Sequence, residues 1–287
     1  MQRALLAGVV VVVVTSVAGT WVVMRGMTFL GDALAHGVLP GLTVAYLFGL
    51  NLIAGAAVAA AVMLAGIELV HRRSRLSEDV GIGLLFVGML ALGVIIASKA
   101  RSYAGDLTVI LFGDILAVTA ADIRATAVAA VVVLVASVVL YRPLIVLAFN
   151  ERKAAALGMR PGLAHAALLV LITVAIIASF QAVGVLLVFA FLVGPPASAA
   201  LVVRRVPTMM VAAMGFGAVG VVVGLLLSYH LGTAGPATIA GVTVAEFFAV
   251  LAVHDLRRAK RRRPDGARTA ATPSPRRHGR PRGDGVA

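Results

Sequence analysis

Nine stretches of about 20 residues along this chain are almost wholly apolar, and the polar positions gather in the gaps between them. A bilayer core is about 30 Å thick, which an α-helix crosses in about 20 residues. The runs 4–24, 28–50, 52–70, 80–98, 121–141, 163–181, 183–203, 207–229 and 236–254 therefore predict nine spanning helices. The expected fold is an all-α, polytopic membrane helical bundle. Residues 102–120 are apolar but broken by Asp106 and Gly113-Asp114. They predict a short or re-entrant helix packed against protein, since lipid tolerates no unsatisfied backbone. Ser16-Val17-Ala18 offers the small residues of a leader cleavage site. Only Arg3 precedes that stretch, however, and the apolar run continues to Met24, so it is read as a span.

Composition then narrows the class. The chain has 287 residues, 61% hydrophobic and 13% charged, against about 45–50% and about 25% in an ordinary globular domain. A water-soluble enzyme is excluded. The formal charge is nevertheless +13. Residues 255–287 hold 11 of the 25 Lys and Arg and 3 of the 12 acidic residues. This divides the chain into a transmembrane body, 1–254, and a basic tail, 255–287. The tail is rich in Arg, Pro, Gly and Ser, and is expected to be disordered in the cytoplasm, near lipid headgroups rather than nucleic acid. If the loop carrying Arg72, Arg73 and Arg75 is cytoplasmic, alternation puts ten basic residues inside before the tail and four outside: Arg3, Lys99, Arg101 and Arg124. By the positive-inside rule the N-terminus faces out and the C-terminus in. There is no cysteine, so disulfides, thiolate metal sites and Cys nucleophiles are excluded.

Ionisable groups inside spans are costly and mark candidate function. Asp32 and His36, within GDALAHGVLPG at 31–41, are four residues apart and share one helix face. Pro40 has no N–H for the carbonyl of His36, which is expected to be left bare. Carboxylate, imidazole and carbonyl together suit a divalent cation such as Zn²⁺ or Mn²⁺. Asp32 as a helix cap, with His36 hydrogen-bonded across the bundle, is an equally open reading. Asp114 is a second candidate ligand or, alternatively, the cap of the turn after Gly113. Glu246 in the ninth run is a third carboxylate, either a ligand or paired with a neighbouring helix. His230 could receive metal at the entrance or be a solvated loop histidine, and His165 is read as interfacial. In the loop NERKAAALGMRP at 150–161, Asn150 can cap a helix, Glu151 suits its first turn, and Gly158 and Pro161 end it. The face carrying Ala154 and Ala155 is flat enough to dock in another protein's groove. The same helix could also rest on the membrane. GFGAVG at 215–220 matches a dinucleotide-binding pattern but lies inside a span, and it is read as helix packing with the pairs Gly37/Gly41 and Gly220/Gly224. No P-loop, HExxH or GxSxG occurs. The chain is therefore expected not to be an enzyme by itself, and any ATP hydrolysis belongs to a partner.

These features together resemble the ABC-3 family, the integral-membrane permeases of metal-ion ABC importers for zinc, manganese and ferrous iron. The resemblance is carried by 27–41 (MTFLGDALAHGVLPG), 77–83 (SEDVGIG), 111–118 (LFGDILAV), 150–158, 181–195 (QAVGVLLVFAFLVGP) and 226–236. It implies a multi-pass permease of the cell membrane, homodimeric, served by a cytoplasmic ABC ATPase and an extracytoplasmic metal-binding receptor. By position it implies that Asp32, His36 and Asp114 line the ion pathway. It also implies that Asn150, Glu151, Ala154, Ala155 and Gly158 form the ATPase-coupling helix, and it carries nothing over for Glu246. No cofactor is expected: the metal is cargo, and ATP is bound by the partner. The histidine favours zinc over manganese or iron. A siderophore- or cobalamin-type ABC permease would instead require a wide apolar cavity, and an ion-coupled secondary transporter or channel would need no coupling loop.

Overall fold

A computed structural model describes residues 2–73, 78–98, 118–149 and 161–262. All nine apolar runs are helical. The helices are α1 (Gln2–Arg25), α2 (Thr28–Gly37), α3 (Leu39–Leu47), α4 (Leu52–Arg73), α5 (Glu78–Ala97), α6 (Ala120–Val139), α7 (Tyr141–Phe149), α8 (Pro161–Val202), α9 (Val206–Leu231) and α10 (Gly235–Arg262). Among the described residues, eight helical segments are long and apolar enough to cross a membrane. The second run differs by being broken at Val38, two residues before Pro40, so that α2 and α3 share one span. The expected re-entrant segment, the loop helix at 150–158 and the tail beyond Arg262 lie outside the described residues. The last helix continues past residue 254 to Arg262.

The sixth and seventh runs are the two limbs of α8, Gly162–Phe180 and Ala182–Val202. A straight helix of 42 residues would extend about 63 Å, twice the hydrocarbon thickness, so two spans need a break between them. Gly184 supplies it, at φ 77° and ψ 165°, a backbone region that only glycine enters freely.

The N-terminal helix is the centre of the bundle. In α1, 72% of the spanning window is buried, against 17% in α6 and in α10. Helices α6, α8 and α9 pack around it, and α10 closes on α8 and α9. A second group, α3, α4 and α5, joins through α2, which touches both α5 and α8. The outward face of α6 carries the exposed valines Val128, Val131, Val135 and Val138, as a lipid-facing surface requires.

Helix contacts in lipid rely on close packing because lipid tails are as apolar as leucine. The tightest lies between α1 and α8. Pro196 cannot donate to the carbonyl of Leu192, and Gly19 fills that gap: a Cβ there would collide with the Leu192 oxygen and touch Pro196. Gly41 of α3 and Gly55 of α4 approach each other's backbone oxygens in the same way. The GFGAVG segment is helix packing, as expected: Gly217 receives Val12, Gly220 receives Thr243 and, one turn further on, Gly224 receives Ile239, while Gly215 touches nothing.

Polar side chains in the spans are mostly satisfied locally. Thr15, Thr20, Thr43, Thr173, Ser198 and Thr243 donate to the carbonyl four residues back, which removes the cost of a bare hydroxyl in hydrocarbon. Among the described residues, two bonds from buried side chains tie α6 to its neighbours. Trp21 Nε1 donates to Ser137 Oγ at 2.7 Å, tying α1 to α6, and Thr126 Oγ1 donates to the Ala178 carbonyl at 3.0 Å, tying α6 to α8. Thr119 and Asp122 form a reciprocal capping box at the start of α6.

Gly19→Leu should destabilise the permease by about 1–3 kcal/mol, the usual cost of overpacking, and abolish a monodisperse elution peak, whereas Gly215→Leu should stay within about 0.5 kcal/mol of wild type. Trp21→Phe should cost about 1 kcal/mol and lower the Tm. Ser137→Ala added to it should restore part of the loss by removing the orphaned hydroxyl; a further fall of the same size would show that the two residues act independently.

Candidate functional site

The sequence that builds the site is the broken second span. α2 is held on one side by α8, where Gly31 lies against Leu192, and on another by α4, where Gly37 lies against the Met63 sulfur. Pro40 in the first turn of α3 prevents the helix from running through. The carbonyl of His36 is not left bare, which corrects the sequence expectation: the Val38 N–H donates to it.

The side chains of Asp32 and His36 lie together. His36 Nε2 is 3.4 Å from Asp32 Oδ1, each side chain 27% exposed. Around them Leu30, Gly31, Ala33, Leu34, Ala35 and Gly37 are buried, so this i, i+4 pair belongs to the open face of an otherwise enclosed helix. Two ligands about 2.1 Å from one ion at a tetrahedral angle stand about 3.4 Å apart, and about 3.0 Å apart at an octahedral one. The observed separation thus fits a shared coordination sphere without selecting the metal. The imidazole stands edge-on to Phe86 of α5, with ring centroids 6.0 Å apart, and Phe86 meets Phe29 in the same way at 5.7 Å. His36 Nδ1 is buried without a hydrogen bond among the described residues.

The other candidates are placed as follows. Asp114 and the loop residues Asn150, Glu151, Ala154, Ala155 and Gly158 lie outside the described residues. His230 is exposed at the end of α9, its Nδ1 2.7 Å from the Leu226 carbonyl and its ring against Tyr229. Glu246 is half-buried on α10, with Oε2 facing Gly220 on α9. Among the described residues no three His, Asp or Glu side chains form a cluster. Asp32 and His36 are brought together, and His230 and Glu246 do not join them.

One polar contact has almost no signal in the sequence. His165, expected at the interface, is 5% exposed. Arg25 reaches it from the end of α1, with one guanidinium nitrogen, Nη2, 3.4 Å from His165 Nδ1, while Nη1 donates to the Leu147 carbonyl at 2.8 Å. This latch puts the end of α1, the short helix α7 and the start of α8 on one side of the bundle. A lone arginine closing an apolar run is all that announces it.

Comparisons with known proteins agree with this architecture. The model of the ABC 3 transport family matches residues 1–254. The chain is 37% identical over 248 residues to the manganese transport system membrane protein MntC of Listeria monocytogenes, covering 86% of this chain and 88% of that one. It is 32% identical over 256 residues to the chelated iron transport system membrane protein YfeD of Yersinia pestis, covering 89% and 85%. Among solved structures, PsaBC from Streptococcus pneumoniae in complex with Fab superposes with a TM-score of 0.78 at 32% identity, covering 87% of this chain and 90% of that one. A helical bundle with a polar pair in a broken span, matched over nearly all of its apolar body, is thus a multi-pass cell-membrane permease, and the chain belongs to the ABC-3 family of metal-ion ABC importers.

Proposed function

We propose that this permease carries manganese, with ferrous iron as its nearest competitor, and that Asp32 and His36 are pathway ligands. The observation that carries the reading is the i, i+4 pair at 3.4 Å on the open face of α2. Zinc, expected from the histidine, is not supported by the relatives, whose names specify manganese or iron. The physical reason is that one imidazole beside one carboxylate fits several first-row ions, and a further carboxylate such as Asp114 would make the donor set richer in oxygen, which suits manganese.

On this reading a receptor on the outer face releases the ion to Asp32 and His36, which replace part of its hydration shell. Two permease copies assemble with two copies of a cytoplasmic ABC ATPase. Its closure pushes on the loop at 150–158, where the sequence leads one to expect the coupling helix, and switches access from outside to inside. The pair must bind weakly enough to release, so direction comes from ATP and not from affinity. The N-out, C-in orientation rests on the charge bias of the loops.

The test is radiomanganese uptake into proteoliposomes holding permease, ATPase and receptor. Uptake should require ATP and be competed by Mn²⁺ and Fe²⁺ more strongly than by Zn²⁺; uptake without the ATPase would sink the ABC assignment. Asp32→Asn and His36→Ala should each reduce uptake at least about tenfold, since even indirect changes around a metal cost about 10–100-fold in affinity. Both variants should keep the elution profile of wild type. Undiminished uptake in both would remove them from the pathway.

A further inference from the structure

Outside the metal pathway, a groove of about 860 Å³ runs between the end of α8 and the last turns of α10. Its upper wall is apolar, with Val202, Val250 and Val253 on it, and its lower rim carries Arg204, Arg257 and Arg258. Val202 and Val253 are 60% and 48% exposed. None of the three arginines has an ion-pair partner among the described residues. The nearby acidic residue Asp255 lies 3.5 Å from His254, itself on the rim.

We propose that this groove is a binding site for an anionic phospholipid. The guanidinium groups of Arg204, Arg257 and Arg258 take the headgroup phosphate, for which planar N–H donors are well shaped. An acyl chain lies along Val202, Val250 and Val253. The apolar wall belongs to the apolar helical segments Ala182–Val202 and Gly235–Arg258, whose exposed valines call for an apolar neighbour. The cationic rim lies where those segments end. Basic pockets between spans at a membrane surface recruit anionic headgroups in this way. An amphiphile matches both halves of the groove, whereas free phosphate uses only the rim and an ATPase surface would leave the apolar wall uncovered.

The experiment uses the full chain, delipidated in detergent and offered equal amounts of phosphatidylglycerol and phosphatidylcholine, with retained lipid read by native mass spectrometry. Phosphatidylglycerol should be retained about tenfold over phosphatidylcholine. R204Q/R257Q/R258Q should lose that preference, while R204K/R257K/R258K should keep most of it. If the glutamine triple variant does not elute as a single peak, Arg204→Gln and Arg257→Gln singly should each show a partial loss. Val253→Ser should weaken retention without altering the charge. Since all variants keep the basic residues from Lys260 onward, the contribution of those residues is common to them. Equal retention of the two lipids, or an unchanged preference in the glutamine variants, overturns the site. Full displacement by millimolar inorganic phosphate, with no effect of Val253→Ser, overturns the lipid assignment in favour of a phosphate site. Loss of ATPase co-purification from the glutamine variants, with lipid retention intact, overturns it in favour of a protein dock.

Discussion

The contact on which the bundle depends is the approach of Gly19 to the Leu192 carbonyl. Two local rules make it possible: Pro196 withdraws the donor that would normally cover that oxygen, and glycine withdraws the side chain that would keep the helices apart. With α1 seated there, α6 and α9 gather around it and α10 closes over α8 and α9. Leu192 also packs against Gly31, so the same turn of α8 supports the helix that carries the candidate ligands.

The second span divides labour between its halves. α2 belongs to the central group through α8, and α3 belongs to the outer group through the Gly41/Gly55 approach to α4. Val38 is the boundary. Asp32 and His36 therefore lie on a helix held by α8 on one side and by α4 and α5 on the other, while the helix that follows them packs on α4 and α5.

Much of this is legible in the sequence because lipid imposes a simple requirement. Each apolar run is helical, but the break at Val38 inside the second run and the kink at Gly184 inside the seventh are not announced by the apolar pattern. Asp32 and His36 can be paired from spacing alone, since they share one helix. Contacts between helices are not legible in this way. Nothing in the run 4–24 says that it is central rather than peripheral, and nothing near His165 says that Arg25 reaches it. At the carbonyl of His36 the sequence displays the donor that Pro40 lacks but hides the Val38 N–H that replaces it. The partner of Gly41 is hidden for a related reason: a small residue announces a close approach but not to what.

The last helix does not end where the apolar run does. Because α10 stays helical to Arg262, Arg257 stands just over one helical turn, about 6 Å, beyond Val253. Its height relative to the hydrocarbon boundary is set by helix pitch rather than by the wandering of a tether. The beginning of the basic run therefore acts as a fixed mark on a rigid rod, and it limits how far the bundle can ride up or down as bilayer thickness changes.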